Sequence, residues 1–331
     1  MINRLFTHGN CSSLDGFASA HIFKKYLALG LGLTSAVQIG QLDPSDIETG
    51  RFEAQSGDIV LDLPKPKQDI FFWCDHHYTS EPKNKLPENH YWALKPSCAG
   101  YLIELAITAG LDPKAELLEF KEAVDIMDGA LYTTEQLKSV YYPSDNYDNP
   151  SMLQRVHMIS ALIHTRNRQF NHHRFKDLLK GELGDTPVSV NNINISEIIE
   201  TFKRQLKNYQ KWRNWVDNFQ RYEKSSECVI QDPRNSGPMI GSPDRFYSYL
   251  RFPESIYSIR ISFHGNEARL SIGSNIFQQD RRKVNIGQLG VEISRQFGDG
   301  GAGGHQQTCG LTIPADSIDQ ALEEILAKFR E

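Results

Sequence analysis

The first third of the chain alternates short apolar runs with stretches of helical spacing. Arg4 to His8 (RLFTH) leans apolar and predicts a strand. Behind it, LDGFASAHIFKKYLALG brings Phe17, Ala20, Phe23, Lys24 and Leu27 near one face of a helix that stops about Gly30. AVQIG (36–40), DIVLDLP (58–64) and DIFFWCD (69–75) read as buried strands. PSCAGYLIELAITAG (96–110) reads as a helix, with Ser97 near its start and Gly110 near its end. This succession predicts a mostly parallel sheet with helices on both faces. Ligands of such sheets collect outside the carboxyl ends of the strands.

The middle of the chain is more polar. SEIIETFKRQLKNYQKWRNWVDNFQRY spaces Phe202, Leu206, Tyr209, Val216 and Phe219 as one face of a long amphipathic helix, and Trp212 and Trp215 are expected to pack it against a domain. A loop rich in turn residues (180–194) precedes it, and His172 and His173 read as solvent-exposed. Beyond it, CVIQD, YSIRISFHG and EARLSIGSNIF read as strands, with Gly265-Asn266 joining the last two as a hairpin. IGQLGVEISRQFG (286–298) reads as a helix. The expected organisation is an α/β domain over 1–155, a helical connector over 156–225 and a smaller α/β domain over 226–331.

Composition narrows this picture little. At 331 residues, two domains are the default. A net charge of −5, from 36 basic and 41 acidic residues, exerts no general pull on long nucleic acid, so an anion site must be local. No apolar run is long enough to predict a membrane span, and the N-terminal stretch lacks the pattern of a signal peptide. Five widely spaced cysteines, Cys11, Cys74, Cys98, Cys228 and Cys309, argue against a disulfide framework or a zinc knuckle and for a cytoplasmic location; Cys74 and Cys98 read as small buried residues.

The candidate chemistry lies at strand ends. WCDHHYTS sets Asp75, His76 and His77 side by side after an apolar run. Burying a carboxylate and two imidazoles is costly without a partner, and a metal ion is one such partner. His8, Asp15 and Asp62 also fall at predicted strand ends or helix starts, and Asp125 and Asp128 close a helical run in AVDIMDG. Taken singly, Asp15 reads as a helix cap, Asp62 and Asp128 as turn residues and Asp125 as a helix-face residue. Converging on one sheet edge, the acidic and imidazole groups would form a cage for one or two divalent cations, suited to manganese or magnesium more than to structural zinc.

The order His8, Asp15-Gly16, Asp62 in VLDLP, the Asp75-His76-His77 triplet and Asp128 resembles the DHH phosphoesterase superfamily. GGAGGHQQTCG, about 230 residues on, resembles the glycine-rich signature of the DHH-associated domain. The resemblance implies two metal ions, with His8 on the first, Asp62 bridging, and Asp15, His76 and Asp128 completing the second. It implies that His77 faces the phosphate while Asp75 orients a histidine. It also implies that Gly303, Gly304 and His305 hold the substrate. The implied reaction is metal-dependent hydrolysis of a phosphoester, with manganese as the expected ion. Short oligoribonucleotides or linear and cyclic dinucleotides are the implied substrates. A homodimer is left open.

Two departures from the family pattern stand out. HGNCSSLDG offers Asp15 but no second carboxylate, with Asn10, Cys11, Ser12 and Ser13 in its place, so Cys11 becomes a candidate ligand and one ion an alternative to two. The associated domain has Gly273 where an arginine is usual, leaving Arg260, Arg269 or Arg281 to supply the charge. Hydrolysis of a phosphoanhydride, and a non-catalytic nucleotide-binding protein, are the alternative functions.

Overall fold

The structure, a computed structural model, describes residues 4–8, 13–33, 37–142, 150–163, 184–187, 195–298 and 302–331, without the side chains of 195–197 and 303–305. Asn10, Cys11, Ser12, His172, His173 and most of the loop over 180–194 lie outside the described residues. The chain divides into two compact units, Met1–Lys203 and Arg204–Glu331. No helix among the described residues is long and apolar enough to cross a membrane.

Unit 1 is built on a five-stranded, fully parallel sheet of order β2-β1-β3-β4-β5. Its strands are β1 (Arg4–His8), β2 (Gln38–Leu42), β3 (Ile59–Leu61), β4 (Phe72–Asp75) and β5 (His90–Trp92). β2 runs past the expected end at Gly40 because it pairs with all of β1, up to His8 against Leu42. β5 was not expected from sequence.

α1 (Leu14–Ile22) starts at Ser13, whose hydroxyl accepts from the Gly16 N–H at 2.9 Å, and continues as a wider turn over Phe23–Leu27. α2 (Pro44–Glu48) sends Ile47 to the opposite sheet face, against Val60, Leu63, Ile70 and Trp73. α3 (Cys98–Thr108) begins at Ser97, as read, and Gly110 behind it takes a φ of +104°. α4 (Ala115–Asp128), α5 (Thr134–Tyr141) and α6 (Met152–Ile163) complete the described part of the unit before the long helix α7 (Ile195–Val216). Helices thus cover both faces and leave the carboxyl edge of the sheet for polar groups.

α7 crosses from unit 1 into unit 2 and buries Phe202, Trp212 and Val216; Trp215 donates to the Ser236 carbonyl at 3.3 Å. Unit 2 holds a six-stranded mixed sheet, β10-β11-β9-β8-β7-β6. The strands are β6 (Gln220–Glu223), β7 (Cys228–Gln231), β8 (Tyr257–His264), β9 (Glu267–Ser274), β10 (Ala302–His305) and β11 (Thr308–Pro314), with α8 (Tyr247–Arg251) between β7 and β8. β8 and β9 form the expected hairpin around Gly265 (φ +63°), a first central position that glycine enters without steric penalty. α9 (Ile286–Phe297) and α10 (Ile318–Arg330) bury Leu289, Ile293, Leu322 and Ile325 against Ile259, Leu270 and Leu311 on one sheet face. The end of the glycine run, Ala302–His305, enters the sheet as β10.

Candidate metal centre

Three loops at the carboxyl edge of the unit 1 sheet and two helices converge on one point. His76, just past β4, is buried, and its Nδ1 lies 2.9 Å from the Lys95 carbonyl oxygen. A carbonyl can only accept, so Nδ1 carries a proton and Nε2 is the ring atom turned toward the carboxylates, able to bind a cation once its own proton is displaced. Around Nε2 stand Asp62 Oδ1 at 3.4 Å, Asp15 Oδ2 at 3.5 Å and Asp128 Oδ2 at 3.5 Å. These separations are long for hydrogen bonds, and Nε2 is buried with no hydrogen-bond partner. Two donors on one ion, at bonds of about 2.1 Å and roughly 90–110° apart, sit about 3.0–3.5 Å from each other. The spacing is that of ligands around a cation.

Electrostatics agree. Burial opposes charge on His76, yet Asp62, Asp15 and Asp128 outweigh it and carry the imidazole up to about 11. Burial, then the charges of Asp62 and Asp128, push Asp15 well above the carboxylate range. Asp62 goes the other way: burial works against its charge, but His76, His77 and His8 hold it below its ordinary value. Three carboxylates gathered around one imidazole, Asp15 and Asp62 buried and Asp128 exposed, call for positive charge, so the donor set fits a divalent cation.

Each candidate ligand is held locally. Asp15 is buried and does not cap its helix; Ser13 does. Its two oxygens instead accept from the Cys98 and Ala99 N–H groups at the start of α3, at 2.7 and 2.8 Å. Gly16 is required beside it because a Cβ there would overlap the His8 carbonyl oxygen. Asp62 follows β3 in the left-handed region, φ +56°, where aspartate is among the few residues tolerated. Its Oδ2 accepts from Ser13 Oγ at 3.0 Å and faces His8 Nδ1 at 3.8 Å. His77 Nδ1 lies 2.7 Å from Asp75 Oδ1, so Asp75 orients His77. Burial opposes the charge of His77, but Asp75 and Asp62 bring it up to about 9.

His8, Asp15, Asp62, Asp75, His76, His77 and Asp128 therefore meet. Two overlapping donor groups result, Asp15-His76-Asp128 and Asp62-Asp75-His76-His77, with His8 beside Asp62. Asp125 stands apart from both. Cys11 lies outside the described residues, as do the side chains of Gly303, Gly304 and His305, whose backbone forms β10 against Gly310, Cys309 and Thr308. Sequence reasoning missed the Lys95 carbonyl, the α3 N–H groups and the Ser13 hydroxyl. Backbone groups leave no residue signature, although serine two positions before Asp15 is a cap signal.

In unit 2, Gly273 has a packing reason. A Cβ there would come within 2.7 Å of the Tyr249 hydroxyl, which is bonded to Ser258 Oγ at 2.8 Å. Arg281 is bound to Glu227. Arg260 and Arg269 share the sheet face opposite the helices, and among the described residues neither pairs with a carboxylate. Burial, then the charges of Arg245 and Arg269, lower the Arg260 guanidinium from its usual value.

Among known proteins, no family model matches the chain and no curated protein matches it. Solved structures do. A pGpG-specific phosphodiesterase, PggH, from Vibrio cholerae is 18% identical, with a TM-score of 0.68 over 99% of each chain. The DHH domain of a member of the S1p family of ribosomal proteins is 11% identical, with a TM-score of 0.57 over 100% of this chain and 87% of that one. Exonuclease RecJ bound to manganese is 13% identical, with a TM-score of 0.54 over 99% of this chain and 89% of that one. At these identities the likeness is one of fold: a mostly parallel α/β domain followed by a smaller domain on a mixed sheet.

Proposed function

We propose that the chain is a metal-dependent phosphodiesterase that hydrolyses short oligoribonucleotides or linear and cyclic dinucleotides to mononucleotides. The observation that carries this reading is the buried His76 Nε2 faced by three carboxylates at 3.4 to 3.5 Å, the spacing of ligands around one cation. Asp15, Asp62, His76 and Asp128 would hold one ion, and His8 with Asp62 would reach a second. Carboxylate and imidazole donors favour manganese or magnesium. A divalent cation there supplies Lewis acidity toward phosphate and water.

The chain's own residues do the rest. His77, tied at Nδ1 to Asp75, turns its other ring nitrogen toward a phosphate oxygen. Asp75 keeps that ring in one orientation. Asp62 holds its carboxylate toward His76 and His8 from a backbone position that few residues adopt. Arg260 and Arg269 supply positive charge in the second unit in place of the arginine absent at Gly273, with Gly303, Gly304 and His305 as further substrate contacts. The fold likeness to a pGpG-specific phosphodiesterase supports a linear dinucleotide as the first substrate to try.

The test is purified protein with manganese against pGpG, a cyclic dinucleotide, 3′-phosphoadenosine 5′-phosphate and polyphosphate. Turnover of the dinucleotides to mononucleotides is the expected result. Preference for polyphosphate would shift the reading to phosphoanhydride hydrolysis. Tight nucleotide binding without turnover would make the chain a binding module.

A further inference from the structure

The segment from Lys95 to Ala99 touches two of the candidate ligands at once. The Lys95 carbonyl accepts from His76 Nδ1 at 2.9 Å, and the Cys98 and Ala99 N–H groups donate to Asp15 at 2.7 and 2.8 Å. Any shift of this segment moves the imidazole and the carboxylate together. What fixes the segment is Ser97, which is wholly buried in its middle. Its hydroxyl accepts from the Gly100 N–H at 2.9 Å and donates to Asp125 Oδ1 at 2.6 Å. Asp125 Oδ2 in turn takes the Lys121 ammonium at 2.8 Å, so the enclosed charge is paired. Gly100 leaves room for this arrangement, because a Cβ there would overlap Asp125 Oδ1.

We infer that Asp125 is a positioning residue for the metal centre: through Ser97 it sets the segment Lys95–Ala99 and thereby the spacing of Asp15 and His76. Asp125 belongs to neither donor group, and it lies on α4 one turn before the ligand Asp128. A hydroxyl donating to a carboxylate is among the stronger hydrogen bonds, which suits a part that must hold two ligands still. The inference rests on the proposed function only as far as the cation itself.

An ordinary helix cap would also stabilise α3, so the test must separate capping from ligand placement. Thr133 provides the control. It caps α5 through the Gln136 N–H at 3.1 Å, and no ligand of the centre takes part in that cap. Manganese binding to the full chain is measured by calorimetry, beside thermal melting, for the parent, Asp125→Ala, Asp125→Asn, Ser97→Ala and Thr133→Ala. Asp125→Ala and Ser97→Ala are expected to weaken manganese binding about 10–100-fold, the range for partners behind a metal ligand. Asp125→Asn, which keeps an oxygen for Ser97, is expected to recover most of the affinity. Thr133→Ala is expected to lower the melting temperature and leave affinity unchanged.

Parent-like affinity in Asp125→Ala, or an equal loss in Thr133→Ala, would overturn the inference. Should Asp125→Ala fail to fold, Ser97→Ala carries the same test with one hydroxyl removed. A parent that binds manganese but cleaves no phosphodiester would overturn the functional reading and leave this one standing. A parent that binds no manganese overturns both.

Discussion

His76 donates from Nδ1 to the Lys95 carbonyl oxygen 2.9 Å away, which leaves its Nε2 bare toward Asp15, Asp62 and Asp128. A backbone carbonyl cannot be mutated away, so the imidazole itself is the handle. His76→Ala is expected to weaken manganese binding by more than about 100-fold, beyond the usual loss for an outer partner. Calorimetry on the purified variant reads this directly, and retained affinity would remove His76 from the centre.

Asp62 stands between His76 and His8, at 3.4 and 3.8 Å. Asp62→Ala is expected to abolish hydrolysis and reduce bound metal while the far-ultraviolet circular dichroism stays that of the parent. Elemental analysis after gel filtration counts the ions. Near-normal turnover would contradict a shared ligand.

His21 predicts a pH dependence of stability. It is fully buried on α1, with Nε2 3.2 Å from the Gly184 carbonyl oxygen. Burial, helped by Lys25 and Lys24, lowers its pKa from 6.5 to about 4. The neutral ring therefore favours the folded state fully above 6.5. That contribution fades as pH falls from 6.5 toward 4 and changes no further below. Between pH 8 and pH 5 the loss is about 2 kcal/mol. Urea midpoints across this range should fall less in His21→Leu than in the parent, and identical slopes would reject the assignment.

Gly16 predicts a steric effect at the edge of the site. Its missing Cβ would overlap the His8 carbonyl oxygen and lie 2.8 Å from Thr7 Oγ1. Gly16→Ala is expected to destabilise by about 1–3 kcal/mol, the usual range for overfilling a packed position. Thermal melting checks this, and an unchanged midpoint would mean that α1 shifts freely from β1.

The chain's pattern shows some of these features and hides others. The stretch from Arg4 to Leu27 is readable because strand and helix follow their own periods there, and Ser97 and Gly110 bracket α3 as cap chemistry demands. β5 is only His90–Trp92 and lies among polar residues, so no period emerges from it. β10 is hidden for another reason. Glycine has little preference for strands, and Gly303 and Gly304 become one only by pairing with β11. The acidic and imidazole candidates stand out as residue types at strand ends. Their supports do not, because a carbonyl at Lys95 and two N–H groups at α3 belong to every residue alike. Asp125 shows the same limit. Sequence places it on a helix face, but only the fold brings Ser97 within 2.6 Å.

His76 Nε2 and the three carboxylates it faces come from the turn after β4, α1, the turn after β3 and the end of α4, so the four groups are scattered over more than a hundred residues of chain. An ion gripped by all of them would act as a rivet, fastening segments far apart in the chain beyond the packing and hydrogen bonds that already join them. Occupied at a hundred times its dissociation constant, such a rivet adds about 2.7 kcal/mol to folding. Chelators would then loosen the first unit as well as silence it, and resistance of that unit to proteases would track the manganese supply.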